Sequence, residues 1–229
     1  MGSGTGHIAI IIWDNNVPYV YESNDKTVYW PDKGIQRHTW KDWLNLVKNS
    51  DFLVSVLPLE RKYSDMISES VHLTKWLESV IGLPYGYHNY LFGWIDTPED
   101  NYPSTLSSNF LEIMLSQIDK KYPEIGFKMW NQALSKRLNL DSNVNRTTIE
   151  IYEYAQSKYI NFTKLVTIPE NDTWIYSDGL SMVCNVFACR VFKESGFFGN
   201  LSEKIQCSEF QNWDTYSLKY FNDTVPIFC

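Results

Sequence analysis

The sequence has no long hydrophobic run and no cluster of basic residues, and each absence excludes a class of protein. Its 229 residues contain no apolar stretch that approaches the roughly 18 residues of a membrane span, so we expect no transmembrane segment. Lysine and arginine total 20 against 27 acidic residues, which gives a net charge of −7. Because nucleic-acid surfaces need clustered positive charge, the sequence predicts no nucleic-acid partner.

Cysteine is scarce, and the common metal-binding patterns are missing. The four cysteines, at positions 184, 189, 207 and 229, form no CxxC pair, and no HExxH motif occurs, so no metal and no cofactor are predicted. If Cys184 is a free nucleophile, Cys207 and Cys229 can close a loop of 21 intervening residues, which is the predicted disulfide. Cys189 lies about 140° around a helix from Cys184 and is expected to face the core.

No secretory signal is recognisable at the start of the sequence. Residues 1–4, MGSG, are typical of a fusion remnant, so we expect the native N-terminus to be missing. Five N-x-S/T sequons occur in the C-terminal half and are glycosylation candidates: Asn145, Asn161, Asn171, Asn200 and Asn222. They favour a secreted protein or one in a lysosome-like or vacuole-like lumen, although an Asn-rich sequence also produces sequons by chance.

The sequence predicts a single α+β domain over residues 1–229. Hydrophobic residues make up 44% and aromatic residues 16%, enough for a sizeable core, and no linker-like run divides the chain. Strand-like and helical patterns both occur. Residues of about 97–173 show a helical pattern with polar faces and are interpreted as an insertion. Residues 199–229 are interpreted as a C-terminal tail. The sequence does not indicate the oligomeric state.

The first 22 residues predict an antiparallel hairpin. Residues 6–13 form an apolar strand, residues 14–16 a turn, and residues 17–22 a second strand. A two-residue loop at positions 15 and 16 would pair Ala9 with Glu22. His7 and Glu22 would then share one face of the hairpin, within side-chain reach of each other.

Later elements are predicted from periodicity and turn residues. The strand predictions cover residues 27–30, 34–38, 52–57, 165–168 and 173–176. The helix predictions cover residues 66–81, 109–120, 127–138 and 148–159, and residues 40–44 are predicted to form a brief helix or a turn.

Residues 177–192 predict a helix that carries Cys184 in or near its first turn. The segment begins with the turn sequence Ser-Asp-Gly, and Asp178 or Ser181 could cap the helix. Its apolar residues then share one helical face: Val183, Phe187 and Val191. The positive end of a helix dipole favours a thiolate, which would make Cys184 reactive. The alternative is that Cys184 is a small buried hydrophobic residue.

Three residues form a candidate catalytic set. A cysteine hydrolase needs a thiolate, a histidine that moves the proton, and a polar group that orients the histidine. Cys184, His7 and Glu22 supply these three types. Taken singly, His7 could merely begin a strand and Glu22 could be solvated, and His38 and His72 are interpreted as surface or structural histidines.

Several segments resemble the circularly permuted NlpC-type (YiiX-like) papain-fold cysteine hydrolases, a group related to the lecithin–retinol acyltransferases. GHIAII at 6–11 resembles their GHVGI strand, and IGLPYG at 81–86 resembles their lGkpYD segment. VYES at 20–23, with GI at 34–35 and WKDWL at 40–44, resembles the segment that carries their acidic residue. MVCNVF at 182–187 resembles their yCSelv segment. The order histidine, acid, GxPY, cysteine is the permuted order.

The resemblance implies a papain-like fold in which a small antiparallel sheet packs on the cysteine helix. Cys184 would be the nucleophile, His7 its base and Glu22 the orienting acid, with the Cys184 backbone N–H in the oxyanion hole. Further residues expected to line the site or bind substrate are Tyr85, His88, Asn89 and Asp96. The resemblance covers residues 6–96 and 174–198. Two positions depart from the family pattern, Gly86 after the tyrosine and Asn185 after the cysteine.

The chemistry implied is acyl transfer through a thioester. The substrates of the resembling families are bacterial cell-wall peptides, amides or lipid acyl groups, so the expected partner is a peptide, amide or acyl substrate. We interpret the protein as a cysteine peptidase or amidase. The alternatives are a lipid or amide acyltransferase or thioesterase of the same fold, and a catalytically inactive module that binds a partner or a glycan.

Overall fold

The computed structural model describes residues 6–26, 32–50, 52–88, 107–222 and 227–228, and over these ranges the fold is mixed α+β, as predicted. The chain divides into two compact units. The first comprises Met1–Tyr85 with Met182–Cys229, and the second comprises Gly86–Ser181. The insertion predicted at about 97–173 falls inside the second unit, and the tail belongs to the first.

A three-stranded antiparallel sheet opens the first unit. Its strands are β1 (Ile10–Asp14), β2 (Val17–Asn24) and β3 (Gly34–Thr39), in the order β1-β2-β3. Asn15 and Asn16 form the β1–β2 loop with φ values of 48° and 63°, the left-handed pair that a two-residue hairpin loop requires and that asparagine tolerates. Ile10 lies opposite Tyr21, and this register, continued by one residue, sets position 9 against position 22. The predicted hairpin is therefore confirmed.

Helix α1 (Trp40–Lys48) packs beneath this sheet. The Thr39 hydroxyl caps the helix by accepting a hydrogen bond from the Asp42 N–H. Trp43 and Val47 are buried against Val20 of β2. The helix is longer than the predicted 40–44, since its amphipathic pattern continues for another turn.

The single helix predicted over residues 66–81 is two helices, α2 (Arg61–Glu69) and α3 (Val71–Val80). Ser70 separates them, because its hydroxyl accepts from the Leu73 N–H and so begins a new helix. A side chain that caps a helix start competes with continued helix, and periodicity alone does not show this.

The core strand predicted over residues 52–57 is wrong. Only β4 (Ser55–Val56) is a strand, and it pairs with β5 (Ile227–Phe228). Phe52 and Leu53 are 57% and 96% exposed. The segment 27–30, also predicted as a strand, lies outside the described residues.

The second unit is helical over its described residues. Its helices are α4 (Ser108–Lys121), α5 (Pro123–Gly126), α6 (Gln132–Arg137), α7 (Thr148–Ser157) and α8 (Phe162–Val166), with a π-helical stretch, Phe127–Asn131, between α5 and α6. The helices predicted at 109–120, 127–138 and 148–159 are confirmed. The strand predicted at 165–168 is wrong, because α8 covers its start. The strand predicted at 173–176 is represented only by an isolated bridge at Tyr176.

Helix α9 (Cys184–Glu194) is the buried helix of the first unit, and α10 (Asn212–Ser217) follows it in the tail. The predicted apolar face of α9 is confirmed, since Val183, Phe187 and Val191 are all buried. The predicted caps are wrong: Val183 occupies the N-cap position without a side-chain hydrogen bond, and Ser181 instead bonds to Asp178.

The disulfide joins Cys189 to Cys207, not Cys207 to Cys229 as predicted. Cys189 does face the interior, but a short 3-10 turn, Cys207–Glu209, packs against it there. The Asn185 side chain donates to the Phe210 carbonyl close by, which holds this part of the tail along α9. Cys229 lies outside the described residues, within which Cys184 is the free thiol.

None of the helices in the described ranges combines the length and the apolarity needed to cross a membrane.

Candidate active site

Cys184 is the first residue of α9. Val183 before it is extended, with φ −83° and ψ 171°, and supplies no side-chain cap. The N–H groups of a first helical turn have no partner within the helix, and they form the positive end of its dipole. The Cys184 residue is only 7% exposed. The thiol thus sits at an electropositive position inside the first unit.

The His7 imidazole acts on the Cys184 thiol through hydrogen bonding and charge, both of which lower the pKa of the thiol. Backbone hydrogen bonding from Ile8 and Asn185 acts in the same direction on the pKa of the thiol. Burial raises the pKa of the Cys184 thiol, but the hydrogen bond and the charge of His7, helped by these backbone donors, outweigh burial and lower the pKa below its ordinary value. The geometry therefore favours the thiolate.

His7 is held from its other side by Glu22. The His7 Nε2 lies 2.8 Å from the Glu22 Oε2, which leaves Nδ1 for the thiol. Burial by itself lowers the pKa of His7, but hydrogen bonds and charge from Cys184 and Glu22 raise that pKa to about 9. The contact that the hairpin register predicted is confirmed, and it favours a charged imidazolium beside the thiolate.

Glu22 is completely buried in the middle of β2. Its second oxygen, Oε1, accepts a hydrogen bond of 3.0 Å from the Trp43 Nε1. The His38 Nε2 lies 3.9 Å from the same oxygen and bonds to the Gln36 Oε1 at 2.9 Å. A solvated Glu22, the alternative that the sequence left open, is excluded.

Sequence reasoning missed Trp43 and gave His38 no role near the site. The signal for Trp43 was available, because a helix capped by Thr39 places Trp43 and Val47 on one face, four residues apart. The position of His38 follows from the β2–β3 register, in which Val20 opposes His38 and Glu22 opposes Gln36. Predicting that register requires the loop between the two strands, whose length periodicity does not fix.

The segment from Gly82 to Tyr85 bonds to β3 and to the residues that precede Cys184. The Ile35 N–H donates to the Leu83 carbonyl at 2.9 Å, and the Gly82 N–H donates to the Ile35 carbonyl at 2.8 Å. Gly34, at φ +91°, lies so close to Leu83 that a Cβ would collide with its carbonyl. Tyr85 then forms a parallel bridge with Met182.

Met182 is also bound from β2, because the Ser23 hydroxyl donates to its carbonyl at 2.5 Å. Ser23 follows Glu22, and Met182 lies two residues before Cys184. The segments that carry the acid, the glycine-proline-tyrosine sequence and the cysteine are therefore neighbours in the first unit. Tyr85, predicted to line the site, is buried beside Met182.

Three further residues were predicted to line the site: His88, Asn89 and Asp96. His88 belongs to the second unit, where its ring centroid is 3.9 Å from that of Tyr176. Burial and the nearby charge of Arg137 lower the pKa of His88 to about 3, so the imidazole is neutral there. Asn89 and Asp96 lie outside the described residues. All five sequon asparagines are exposed.

Within the described ranges, no group of three or more histidine, cysteine, aspartate or glutamate side chains could hold a metal ion.

Comparison of this chain with protein-family models, with curated proteins and with solved structures finds no match in any of the three.

Proposed function

We propose that the protein is a cysteine hydrolase that cleaves a peptide or amide bond through a thioester intermediate. One observation carries the proposal: the Cys184 thiol at the start of α9 interacts with His7, which is itself bonded to the buried carboxylate of Glu22. A nucleophile, a base and an orienting group in contact form the arrangement that covalent acyl transfer uses. Cell-wall-type peptides, amides and other short acyl donors are the substrate classes that we propose.

The reaction begins with attack of the Cys184 thiolate on the substrate carbonyl carbon. A C–S bond forms, and the carbonyl electron pair moves to oxygen, where the Cys184 N–H at the start of α9 can stabilise the charge. The intermediate collapses as the C–N bond breaks, and the departing nitrogen takes the proton from His7 Nδ1. Water then attacks the thioester carbonyl carbon and gives a proton to His7. The C–S bond breaks, which releases the acid product and regenerates the Cys184 thiolate.

The chain order and the contacts of the first unit support a permuted, papain-like arrangement. His7 and Glu22 come from the first hairpin, and Cys184 comes last, on a helix that packs on β2. The resemblance of the four motif segments gives the same order. We therefore extend the proposal to the circularly permuted NlpC-type class.

We also propose that the protein works in an oxidising compartment, outside the cell or in a lumen. The Cys189–Cys207 disulfide supports this location, since disulfides are rare where thiols are kept reduced. The exposure of the five sequon asparagines is compatible with glycosylation there.

The test is the pH dependence of Cys184 alkylation by iodoacetamide, followed by peptide mass spectrometry. We expect rapid labelling well below pH 8.5, the region in which a free thiol loses its proton. His7→Ala should abolish the rapid labelling of Cys184 at low pH, because the thiolate loses its charged partner. His72→Ala is the matched control, since His72 is an exposed histidine bonded to Glu194. Slow labelling of the wild type, unchanged by His7→Ala, would overturn the proposal.

Alkylation is a better reporter of this pair than an unfolding curve. Between about pH 6.5 and 8.5 the unfolded chain carries one proton on the pair, on the cysteine. The folded chain also carries one, on His7, whose pKa is raised to about 9. Stability depends on pH only where the two states bind different numbers of protons, so this pair contributes little slope in that range.

Product analysis separates the hydrolase from the alternatives. A hydrolase incubated with peptide and acyl-amide reporters in isotope-labelled water should incorporate the label into the acid product. An acyltransferase would instead transfer the acyl group to an added amine or lipid alcohol. A reactive Cys184 without turnover of any reporter would favour a binding module.

A further inference from the structure

Trp43 is bonded to the Glu22 carboxylate, which also holds His7, and no motif in the sequence assigned Trp43 a role. The Trp43 indole lies in the core formed by the sheet and α1, where it is 7% exposed. Its Nε1–H donates to the Glu22 Oε1 at 3.0 Å, while the Glu22 Oε2 bonds to His7 at 2.8 Å. The two oxygens of the Glu22 carboxylate are thus bonded to different parts of the chain. One accepts from the indole of Trp43 in α1, and the other bonds to the imidazole of His7, which precedes β1.

From this geometry we infer that Trp43 is a positioning residue for the proposed catalytic site, acting on His7 and Cys184 through Glu22. The inference rests on the proposed function. A buried carboxylate oxygen without a donor is costly, so the bond from Trp43 fixes the rotation of the carboxylate. That rotation determines whether Oε2 points at His7.

The position of His38 shows what Trp43 prevents. The His38 Nε2 is 3.9 Å from Oε1, too far for a hydrogen bond, and it bonds to the Gln36 Oε1 instead. If the indole donor is lost, the carboxylate can turn toward His38. That turn moves Oε2 away from His7 and weakens the pair that stabilises the thiolate.

Among the described residues, the groups that face the pair come from the first hairpin, β3, α1 and the start of α9. His7 faces Glu22 and Cys184, and Glu22 faces His7, Trp43 and, at longer range, His38. In this inference only the Trp43–Glu22 contact changes. The expected sign is that removal of the indole N–H lowers the pKa of His7 and raises the pKa of Cys184.

The experiment compares Trp43→Phe with Trp40→Phe in the full chain. The Trp40 ring stacks on Trp43 with centroids 5.5 Å apart, so the control changes the same aromatic cluster while keeping the donor to Glu22. We expect Trp43→Phe to reduce the rate of Cys184 alkylation at pH 6 about fivefold or more, and to leave the rate at high pH unchanged. Trp40→Phe should follow the wild-type pH profile.

A double-mutant cycle with Glu22→Gln separates positioning from packing. If Trp43 acts through the carboxylate, Trp43→Phe should have no further effect on the pH profile of Glu22→Gln. A purely structural role would lower the rate at all pH values and would add to the effect of Glu22→Gln. A wild-type pH profile in Trp43→Phe would overturn the inference, whereas a wild-type protein without low-pH reactivity would overturn the proposed function itself.

If Trp43→Phe does not fold, the Trp43 indole proton of the wild type gives a second measurement. Nuclear magnetic resonance should detect a hydrogen-bonded Trp43 indole proton whose shift follows the titration of His7. An indole shift that is independent of that titration would overturn the inference.

Discussion

At the residue scale, Glu22 shows how burial can serve reactivity. A charged side chain without solvent contact is destabilising unless its oxygens are bonded, and here His7 and Trp43 each engage one oxygen. The cost of burying the carboxylate is offset by donors that also set the charge of His7. The proposed catalytic pair is therefore polarised before any substrate binds.

Replacement of Glu22 by glutamine tests this polarisation. The neutral amide no longer favours a charged imidazole, so the pKa of His7 should fall below about 9 and the pKa of Cys184 should rise. We expect the rate of Cys184 alkylation at pH 6 to fall about tenfold, which corresponds to a shift of about one pKa unit. At high pH, where the thiol ionises without help, the rates should converge.

Glu69→Gln is the matched control for this variant, because Glu69 is an exposed glutamate at the end of α2. It should reproduce the wild-type curve at every pH. Equal pH profiles for Glu22→Gln and the wild type would contradict the role assigned to Glu22.

Tyr159 gives a separate prediction, about stability. It follows the end of α7 with φ 57° and is 99% exposed. The Ile160 N–H bonds to the Ala155 carbonyl and the Tyr159 N–H to the Gln156 carbonyl, a pattern that places position 159 where glycine is favoured. Tyr159→Gly should therefore raise the free energy of unfolding by about 1 kcal/mol in urea denaturation.

Tyr159→Ala tests the cause of that gain. Alanine keeps the Cβ that disfavours positive φ, so this variant should be no more stable than the wild type. Equal stabilisation by alanine and glycine would show that the loss of the exposed ring, not backbone strain, is responsible.

At the scale of elements, α9 joins the candidate site to the tail. The Cys184 thiol is at its start, and Cys189, five residues later, is bonded to Cys207. The Asn185 amide bonds to Phe210, and the Lys193 ammonium bonds to the Ile205 carbonyl at 2.7 Å. The tail thus holds the helix along most of its length.

Removal of the disulfide should reduce stability without removing the reactive pair. Cross-linking residues 18 apart in sequence restricts the unfolded chain, and a loop of this size contributes about 3 kcal/mol. We expect Cys189→Ala/Cys207→Ala to unfold at lower guanidinium concentration by about that free energy. The pH profile of Cys184 alkylation should survive, because His7 and Glu22 come from the hairpin.

Peptide mapping distinguishes this pairing from the one predicted by loop length. Cys229→Ala should leave the disulfide-linked peptides that contain Cys189 and Cys207 intact. An unfolding midpoint unaffected by the double alanine variant, or a Cys207 thiol released by Cys229→Ala, would contradict the pairing.

The hairpin was predictable and the other pairings were not, for physical reasons. A two-residue loop fixes the register of its strands, so the contact between His7 and Glu22 follows from local sequence. The Cys189–Cys207 pairing depends on how the tail folds back along α9, which spacing does not encode. The break at Ser70 was missed because a cap can interrupt an apolar stripe that continues in phase.

The candidate site divides in the same way. Cys184 and its helix were predictable from periodicity, whereas the Trp43 donor required the joint geometry of α1 and β2. The burial of His88 against Tyr176 depends on contacts within the second unit, and an isolated histidine in the sequence carries no sign of them.

At the scale of the whole molecule, the described residues of the proposed catalytic set all belong to the first unit, and the second unit contains a core of its own. Within the described part of that unit, the members of this second core come from every helix longer than one turn: Leu111, Leu115, Trp130, Ala133, Leu134, Leu138, Ile151, Ala155, Phe162, Leu165, Val166 and Tyr176. The unit also contains a buried ion pair, because Arg137 lies 2.8 Å from Glu170, which accepts from the Tyr176 hydroxyl.

A unit with an apolar core and a buried ion pair of its own should fold when separated. We expect the fragment Gly86–Ser181, expressed alone, to give a helical far-ultraviolet circular dichroism spectrum, an aromatic near-ultraviolet signal and one cooperative thermal transition. Leu134→Asp is the matched control, since it places an unpaired charge at a position without solvent exposure and should abolish the transition. A fragment that melts without cooperativity, like its Leu134→Asp variant, would show that the core of residues 86–181 depends on the remainder of the chain.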